Sequence, residues 1–230
     1  MSLPTAPGRS GRAVTSGRLV AFEGGEGCGK STQVPLLAAW LRARGHRVCT
    51  TFEPGEGVLG RAIRSIVLDP ANTGLSDRAE ALLYAADRAQ HVATTIAPAL
   101  AAGQIVITDR YVDSSLAYQS AGRGQPLHEI AYLSAWATDG LVPDLTVLLD
   151  VPVEVGLARI RGRAAADRLE AESQAFHERV RQSFRTLAAA DPVRYLVLDA
   201  TASPEVLAAR IAGPVTALLA AGQVDSPVSP

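Results

Sequence analysis

Five short apolar runs, each followed by a helical pattern, constrain the fold of this chain more than any other feature. They lie at residues 18–23, 47–52, 104–109, 144–150 and 194–199. The runs are nearly unbroken in apolar residues, which is typical of parallel strands buried on both faces. Strands that alternate with helices predict an α/β domain in which a five-stranded parallel sheet is flanked by helices.

The helical segments complete this pattern. They are predicted at residues 30–44, 57–68, 76–102, 114–121, 126–139, 152–161, 170–190 and 204–221, with the third disturbed at Pro98. We expect a single domain at 18–222, a disordered leader at 1–17 and a frayed tail at 223–230. Open parallel sheets bind ligands at the carboxyl ends of their strands, so the functional residues should directly follow the strands.

The composition argues against several functional classes. A formal net charge of −1 and a pI near 6.4 argue against a nucleic-acid-binding protein, which usually carries a basic surplus. The longest charge-free segment, 89–108, contains polar residues and a proline, so we expect a helix and a strand there rather than a membrane span. Two cysteines cannot form a disulfide framework, and the first residues lack the apolar run of a secretory signal. The expected location is the cytoplasm.

The most specific motif follows the first strand. Residues 24–31 fit the phosphate-binding pattern G-x-x-x-x-G-K-[ST] between a strand and a helix. The expected ATP-binding residues are Gly24, Gly25, Glu26, Gly27, Cys28, Gly29, Lys30, Ser31 and Thr32. Lys30 is the only lysine among 22 basic residues, which favours a catalytic role at the β- and γ-phosphates over a chance lysine in a glycine-rich turn.

A second group of candidates follows the third strand. Asp109 ends that strand, and with the Ser31 hydroxyl it is expected to hold the Mg²⁺ that accompanies ATP. Arg110 comes next, and its guanidinium can bridge the donor and acceptor phosphates. A structural salt bridge is the alternative interpretation of this pair.

Arginines are concentrated in the segment after the helix that follows the fourth strand. Arg159, Arg161, Arg163 and Arg168 lie there among small residues. We interpret residues 159–173 as a lid that closes positive charge over a transferring phosphoryl group, with the first three arginines as catalytic candidates. A basic, solvated helix face is the alternative.

Together these motifs resemble the thymidylate kinase family, whose members phosphorylate dTMP with ATP. The resemblance covers roughly residues 19–212 and is carried by FEGGEGCGKSTQ (22–33), TFEPGE (51–56), AADRAQ (85–90), DRYVDSSLAYQSAGRG (109–124), PDLTVLLDVPVEVGLAR (143–159) and DRLEAES (167–173). It implies the nucleoside monophosphate kinase form of the P-loop NTPase fold, dTMP and ATP as ligands, and a homodimer.

The resemblance also implies roles for individual residues at the acceptor site. Glu26 matches the carboxylate that meets the sugar 3′-hydroxyl, Arg88 the arginine that reads the thymine edge, and Arg110 the arginine that holds the acceptor phosphate. Tyr84 stands where the family usually has a phenylalanine stacked on the base. The expected dTMP-binding set is Glu26, Glu53, Tyr84, Arg88, Arg110, Ser115, Tyr118 and Gln119.

Three positions depart from the family pattern. Some members carry an arginine in the phosphate loop where this chain has Gly27, which implies that the catalytic arginines come from the lid. After the second strand the family commonly reads T-R-E-P-G-G-T, whereas this chain has Phe52 in place of the arginine and Glu56 in place of a glycine. Arg61 is a candidate substitute for the missing arginine.

Two other functions are compatible with a phosphate loop. In a deoxynucleoside kinase, Glu53 would be the general base that a neutral 5′-hydroxyl requires, although the motif at 109–124 argues against this function. A regulatory P-loop ATPase would couple nucleotide turnover to a protein partner. Transfer to dTMP needs no base, because the acceptor phosphate is already ionised, so catalysis should rest on alignment and charge neutralisation.

Overall fold

The computed structural model describes residues 17–161 and 167–221. Its strands are β1 Arg18–Glu23, β2 Val48–Phe52, β3 Ile105–Asp109, β4 Leu145–Asp150 and β5 Tyr195–Asp199. They form one parallel sheet in the order β2-β3-β1-β4-β5. The predicted sheet is confirmed, and each strand lies within one residue of its expected bounds.

The central strand, β1, is buried on both faces. Its Val20 lies opposite Ile107 of β3 and Leu145 of β4, and Leu19 and Phe22 are fully inaccessible to solvent. Parallel pairing brings the carboxyl ends of β1, β3 and β4 to the same edge of the sheet. The segments that follow these strands therefore meet there.

The helices cover both faces of the sheet. They are α1 Lys30–Arg42, α2 Gly57–Val67, α3 Asp77–His91, α4 Ala97–Ala101, α5 Val112–Ser115, α6 Leu127–Ala137, α7 Val153–Ile160, α8 Gln174–Ala190 and α9 Pro204–Ala221, with π-helical turns at Val92–Ile96 and Leu116–Gly122. The expected start of α8 at residue 170 was wrong by four residues, because Ser173 caps the helix. The Ser173 Oγ accepts a hydrogen bond from the Phe176 N–H at 3.2 Å.

The long helical segment before β3 is disturbed upstream of Pro98 rather than at it. In the π-helical turn at Val92–Ile96, the chain widens, and the Ala97 N–H donates to the carbonyl of Val92, five residues earlier. Pro98 has no N–H to donate and its ring crowds the preceding turn of a regular helix. The wider turn accommodates this change ahead of α4.

Two apolar layers lie on opposite faces of the sheet. On one face, α1 and α9 pack against β1 and β4 through Leu37, Leu41 and Ile211. On the other face, α8 packs against the Leu116–Gly122 turn, with Phe184 buried between them. This second layer supports one wall of the cleft described below.

Among the described helices, α9 alone has the length and apolar character of a membrane span, with 18 residues and a mean hydropathy of 1.3. Its Leu207, Ile211 and Val215 are nevertheless buried in the core beside α1 and the sheet. This packing is what the core-facing helix of a globular domain shows.

Candidate functional site

The phosphate loop joins the central strand to α1. Gly24 and Gly29 have φ angles of 139° and 102°, which favour glycine. A Cβ on Gly24 would also lie 2.5 Å from the carbonyl oxygen of Leu149 in β4. The backbone therefore turns tightly against the sheet and opens α1 at Lys30, as the motif predicts.

Lys30 lies buried within this loop, with only 7% of its surface exposed. Its Nζ donates to the carbonyl oxygens of Gly24 at 3.0 Å and Gly25 at 3.1 Å, and lies 3.4 Å from the Sγ of Cys28. Lysines are rarely buried this deeply without partners. The loop therefore fixes the one ammonium side chain of the protein at the place where phosphates bind in such motifs.

The two expected metal ligands lie on adjacent elements. Ser31 is exposed in the first turn of α1, next to Thr32, and Asp109 is half-buried at the end of β3. Within 17–161 and 167–221, no group of three or more His, Cys, Asp or Glu side chains is arranged to hold a metal ion. A hydroxyl and a carboxylate supply the oxygen ligands that Mg²⁺ prefers, and phosphates and water can complete the shell. The residues thus fit a cation that arrives with a nucleotide.

Arg110 follows β3 and reaches back to the phosphate loop. Its Nη1 donates to the Gly24 carbonyl at 3.2 Å and to the Ser114 Oγ at 3.1 Å. Its Nη2 donates to the Glu26 carboxylate at 2.6 Å and to the Tyr118 hydroxyl at 3.2 Å. The acidic partner of this arginine is therefore the carboxylate of the phosphate loop.

Glu26 is the negatively charged centre of this cluster. Its Oε1 also accepts a hydrogen bond from the Tyr118 hydroxyl at 2.6 Å. Burial by itself would raise the pKa of this carboxyl, but the charges of Arg110 and Lys30 outweigh burial and hold the pKa at about 2. Glu26 is therefore ionised at neutral pH and can accept a hydrogen bond from a hydroxyl that enters the cleft.

Glu23, the last residue of β1, is a candidate that the sequence analysis missed. The side chain is fully buried, and its Oε1 accepts from the backbone N–H groups of Tyr111 at 2.8 Å and Ser114 at 3.1 Å. Its Oε2 accepts from the Ser114 hydroxyl at 2.6 Å. Burial, reinforced by the Asp113 carboxylate, raises the pKa of Glu23 to about 7. The sequence feature that could have indicated Glu23 is its place as a carboxylate at the last position of an apolar strand.

A cleft with a cavity volume of about 160 Å³ extends from Arg110 to α3. All eight side chains expected at the acceptor site line it, although they come from four separate parts of the sequence. Arg64 and Ser114 line it as well, and neither was expected. The structure therefore assembles the predicted acceptor residues around one cavity.

The sequence analysis named Arg61 as a candidate substitute for the arginine missing after β2. The arginine of α2 that lines the cleft is Arg64 instead. Arg61 is exposed and is not among the cleft-lining residues, whereas the Arg64 Nη1 donates to the Pro54 carbonyl at 2.8 Å. Residues three apart on a helix lie on the same side but one turn apart. The helix therefore carries the charge of Arg64, not that of Arg61, to the cavity.

Four buried side chains, Thr51, Glu53, Arg88 and His91, form what we call the floor network. The Arg88 Nε donates to Glu53 Oε2 at 2.8 Å, and the other carboxylate oxygen of Glu53 pairs with His91 Nδ1 at 2.8 Å. His91 Nε2 in turn pairs with the Thr51 hydroxyl at 2.6 Å, and Arg88 Nη1 donates to Ser115 at 3.0 Å. Because both oxygens of Glu53 are engaged, this geometry suits orientation of Arg88 better than general-base catalysis.

Comparison with known proteins identifies the family. The family model described as thymidylate kinase matches residues 22–211. The chain belongs to the thymidylate kinase family. Thymidylate kinase of Clavibacter sepedonicus is 54% identical over 210 residues, which cover 90% of this chain and 98% of the relative. That of Cutibacterium acnes is 53% identical over 203 residues, covering 88% and 98%.

A solved structure gives the same result for the fold. The crystal structure of thymidylate kinase from Ehrlichia chaffeensis superposes with a TM-score of 0.71 and 29% sequence identity, covering 87% of this chain and 98% of that one. The resemblance carried by the motifs is therefore confirmed, and with it the nucleoside monophosphate kinase form of the P-loop fold.

The structure explains why this member of the thymidylate kinase family has Gly27 in its phosphate loop. Gly27 has a φ of 65°, and a Cβ there would lie 2.1 Å from the carbonyl oxygen of Gly156 in α7. A Cβ on Gly156 would in turn lie 2.3 Å from the carbonyl oxygen of Glu26. The loop and α7 touch through two glycines, so an arginine at position 27 requires α7 to move.

The other departures from the thymidylate kinase pattern lie in the loop after β2. Phe52 is 42% exposed, and the guanidinium of Arg64 lies 6.0 Å from the centre of its ring. Glu56 accepts a hydrogen bond from the Thr51 hydroxyl at 3.4 Å. Arg64 thus brings a positive charge to this loop although the loop itself has no arginine.

Asp87 of α3 holds the same loop from the other side. Its Oδ1 accepts from the Gly55 N–H at 3.1 Å. Burial, followed by repulsion from the Glu53 carboxylate, raises the pKa of Asp87 to about 6. The loop after β2 is therefore fastened to α3 by a carboxyl group with little access to water.

Tyr84 supplies a flat face to the cleft where the family usually has a phenylalanine. Its hydroxyl is buried and has no hydrogen-bond partner among the described residues. Burial raises the pKa of Tyr84 well above its ordinary value, so the phenol stays neutral. The ring can serve as a stacking surface, as the resemblance predicts.

The lid arginines have different positions in the structure. The Arg159 Nη1 donates to the Ala200 carbonyl at 3.0 Å and to the Gly27 carbonyl at 3.3 Å. Arg161 is exposed at the end of α7, and Arg163 lies outside the described residues. Arg159 is thus the candidate from the lid that the structure brings against the phosphate loop.

Four charged side chains, Glu80, Arg123, Arg168 and Glu172, form what we call the lid network. Glu80 of α3 binds Arg123 at 3.2 Å and also binds Arg168, while Arg123 binds Glu172. Gln119 donates to Glu80 at 2.9 Å, so its amide nitrogen is engaged in this network. These contacts fasten residues 167–173 to the body of the domain.

Proposed function

We propose that this chain transfers the γ-phosphoryl group of ATP to the phosphate of dTMP, yielding ADP and dTDP. The observation that carries the proposal is the position of Arg110, whose guanidinium lies between the phosphate loop and the acceptor cleft. One guanidinium can hold two phosphate groups through its fork of donors. Membership of the thymidylate kinase family supports the choice of both substrates.

The chemistry rests on alignment and charge neutralisation. A dTMP phosphate oxygen, ionised at neutral pH, attacks the γ-phosphorus of ATP while the bond to the β-phosphate oxygen breaks and ADP leaves. Lys30 and Arg110 offset the repulsion between the two anions. No proton acceptor is needed, which agrees with the engagement of Glu53 by Arg88 and His91.

Mg²⁺ would be held by the Ser31 hydroxyl and the Asp109 carboxylate together with phosphate oxygens of ATP. When bound, it supplies charge neutralisation at the transferring phosphoryl group. Ser31 lies in the first turn of α1 and Asp109 closes β3, so both oxygens belong to the sheet edge that carries the phosphate loop.

Recognition of dTMP divides between the two ends of the cleft. The phosphate would bind Arg110, and the ionised Glu26 would accept a hydrogen bond from the 3′-hydroxyl. At the other end, Arg88 is oriented toward the base by its bonds to Glu53 and Ser115, and Tyr84 supplies the stacking face. The thymine methyl group is worth only about 1–3 kcal/mol, so dUMP should be accepted more weakly than dTMP.

The lid completes the proposed site. Residues 159–173 would close over the phosphates, with Arg159, Arg161 and Arg163 as the candidates for stabilising the transferring group. Closure excludes water, so ATP hydrolysis without an acceptor should be much slower than transfer.

We also propose that the protein is a homodimer of the cytoplasm. Helix α3 packs beside both α2 and α6, and these helices expose Val58, Ile66, Leu82 and Trp136. Large exposed apolar side chains on neighbouring helices are typical of protein interfaces. Sedimentation velocity should give twice the chain mass, and a monomer at micromolar concentration would contradict this part of the proposal.

The activity is tested by measuring ADP release from Mg·ATP with dTMP, dUMP, dCMP, dGMP and thymidine as acceptors. We expect dTMP to be the best acceptor and dUMP to follow, and we expect Lys30→Ala to lower turnover by about a hundredfold or more. Equal rates with dCMP or dGMP would contradict the proposed base pocket. Preference for thymidine would favour a deoxynucleoside kinase, and turnover indifferent to every acceptor would favour a regulatory ATPase.

A further inference from the structure

The turn that carries Arg110 has an unfavourable backbone conformation. Arg110 has a φ of 70°, and among the described residues other than glycine only Asp139 shares a positive φ. An L-residue in this region is strained and persists only where its surroundings hold it. The contacts of the turn therefore determine where the Arg110 guanidinium points.

Glu23 supplies most of the side-chain contacts that hold this turn. Its carboxylate accepts hydrogen bonds from the backbone N–H of Tyr111, which directly precedes α5, and from the backbone N–H of Ser114, which lies within α5. The Arg110 N–H itself donates to the carbonyl of Phe22 at 2.9 Å. The last two residues of β1 thus accept hydrogen bonds from three backbone N–H groups of the turn, those of Arg110, Tyr111 and Ser114.

A second connection runs from Glu23 to the guanidinium through Ser114. The Ser114 hydroxyl donates to Glu23 Oε2 at 2.6 Å and accepts from Arg110 Nη1 at 3.1 Å. A hydroxyl has one hydrogen, and when a carboxylate takes it, the oxygen lone pairs are left for another donor. Glu23 therefore orients the Ser114 oxygen toward Arg110.

We propose that Glu23 is a positioning residue for the acceptor phosphate: it fixes Arg110 through the turn and through Ser114 without touching the substrate. The inference rests on the proposed function, in which Arg110 binds the phosphate of dTMP. Glu23 is fully buried and does not line the cleft, so its effect on binding must pass through other residues. Substitution of Glu23 should consequently weaken the binding of the phosphate group and leave the binding of the nucleoside unchanged.

The test compares the binding of dTMP with the binding of thymidine, which lacks the phosphate, by calorimetry at about pH 8 where carboxyl groups are mostly ionised. Glu23→Gln should weaken dTMP binding by about tenfold and change thymidine binding by less than about twofold. Ser114→Ala, which removes only the side-chain connection, should show the same selective loss to a smaller degree.

Asp150→Asn is the matched control, because Asp150 also closes a strand of the sheet, also loses a charge, and pairs with Arg181 of α8 rather than with the turn. It should leave the ratio of dTMP to thymidine affinity unchanged. Equal loss of both ligands in Glu23→Gln, or no loss of either, would overturn the proposal. If that variant does not fold, Glu23→Asp, which keeps the charge but shortens the side chain, decides: unchanged dTMP affinity overturns the inference. Failure of the wild type to prefer dTMP over other nucleotides would instead contradict the proposed function.

Discussion

Glu53 and Arg88 of the floor network line the cleft, whereas the four side chains of the lid network do not, and the two networks also differ in their access to water. In the floor network the side chains of Glu53 and Arg88 are each 3% exposed. In the lid network Glu80 is only 1% exposed, but Arg123 is 13% and Glu172 28% exposed. Charges in the first group have almost no solvent to replace a lost partner, whereas the Arg123–Glu172 pair of the second can be partly rehydrated.

Because of this difference, the two networks should respond differently when a charged partner is lost. The floor network must already be complete in the folded protein, because an unpaired charge there is costly, so in the proposed function Arg88 would present a fixed arrangement to the incoming base. In the lid network the Arg123–Glu172 pair should be cheaper to break, since ion pairs with access to solvent contribute only about 0–1 kcal/mol each.

The largest expected effect on stability follows from removing the buried carboxylate of the floor network. Glu53→Ala leaves the Arg88 guanidinium without its buried partner and should lower the free energy of unfolding by about 3–5 kcal/mol. The parallel change in the lid network, Glu172→Ala, should cost less than about 1 kcal/mol. Urea unfolding of both variants measures the difference, and similar losses would remove the distinction between the two networks.

A smaller effect concerns pH and Asp87, the carboxyl group beside the floor. Its pKa is raised from 3.8 to about 6 in the folded protein, so folding retains a proton that the unfolded chain loses between these values. Stability of the wild type should therefore fall, relative to Asp87→Asn, as the pH rises from about 4 to about 6, by at most about 3 kcal/mol. Unfolding free energies measured across that range would show parallel curves if this interpretation is wrong.

The smallest effect is expected from the lid. Arg168→Ala removes the bonds to Glu80 and to the Val67 carbonyl, and should raise the KM for dTMP about two- to fivefold. The loss of stability should stay below that of Glu53→Ala, because Glu80 keeps Arg123 and Gln119 as partners. Raising the salt concentration from about 0.05 to about 0.5 M should change the wild-type KM by less than the substitution does, because the Arg168–Glu80 pair is shielded from solvent. A larger effect of salt than of the substitution would show that this pair does not control the lid.

The sequence predicted the sheet and the cleft because both depend on local patterns. Apolar runs defined all five strands, and motifs placed directly after strands had to meet at one edge of the sheet, where Lys30, Asp109 and Arg110 lie. The contacts that orient them were not predictable in this way. Glu53 meets His91 across 38 positions, and no periodicity in the sequence indicates such a pair.

Other residues were not predicted because the sequence pattern at their positions fits more than one role. Glu23 looked like the polar end of a strand, and only its three hydrogen bonds distinguish it from a solvated carboxylate. Arg64 and Arg61 have the same charge on the same helix, and the exact rotation of α2 decides which of them lines the cavity. The shift of the helical disturbance away from Pro98 likewise depends on how the backbone adapts upstream.

The contact between Gly27 and Gly156 makes two distant positions dependent on each other in evolution. A larger residue at either site meets backbone at 2.1 Å or 2.3 Å, so neither glycine can be exchanged while the other segment keeps its place. A lineage with this geometry cannot acquire a loop arginine by a single mutation. Its descendants would have to shift α7 first, so in the proposed mechanism Arg159 and the arginines after it remain the substitutes for a loop arginine.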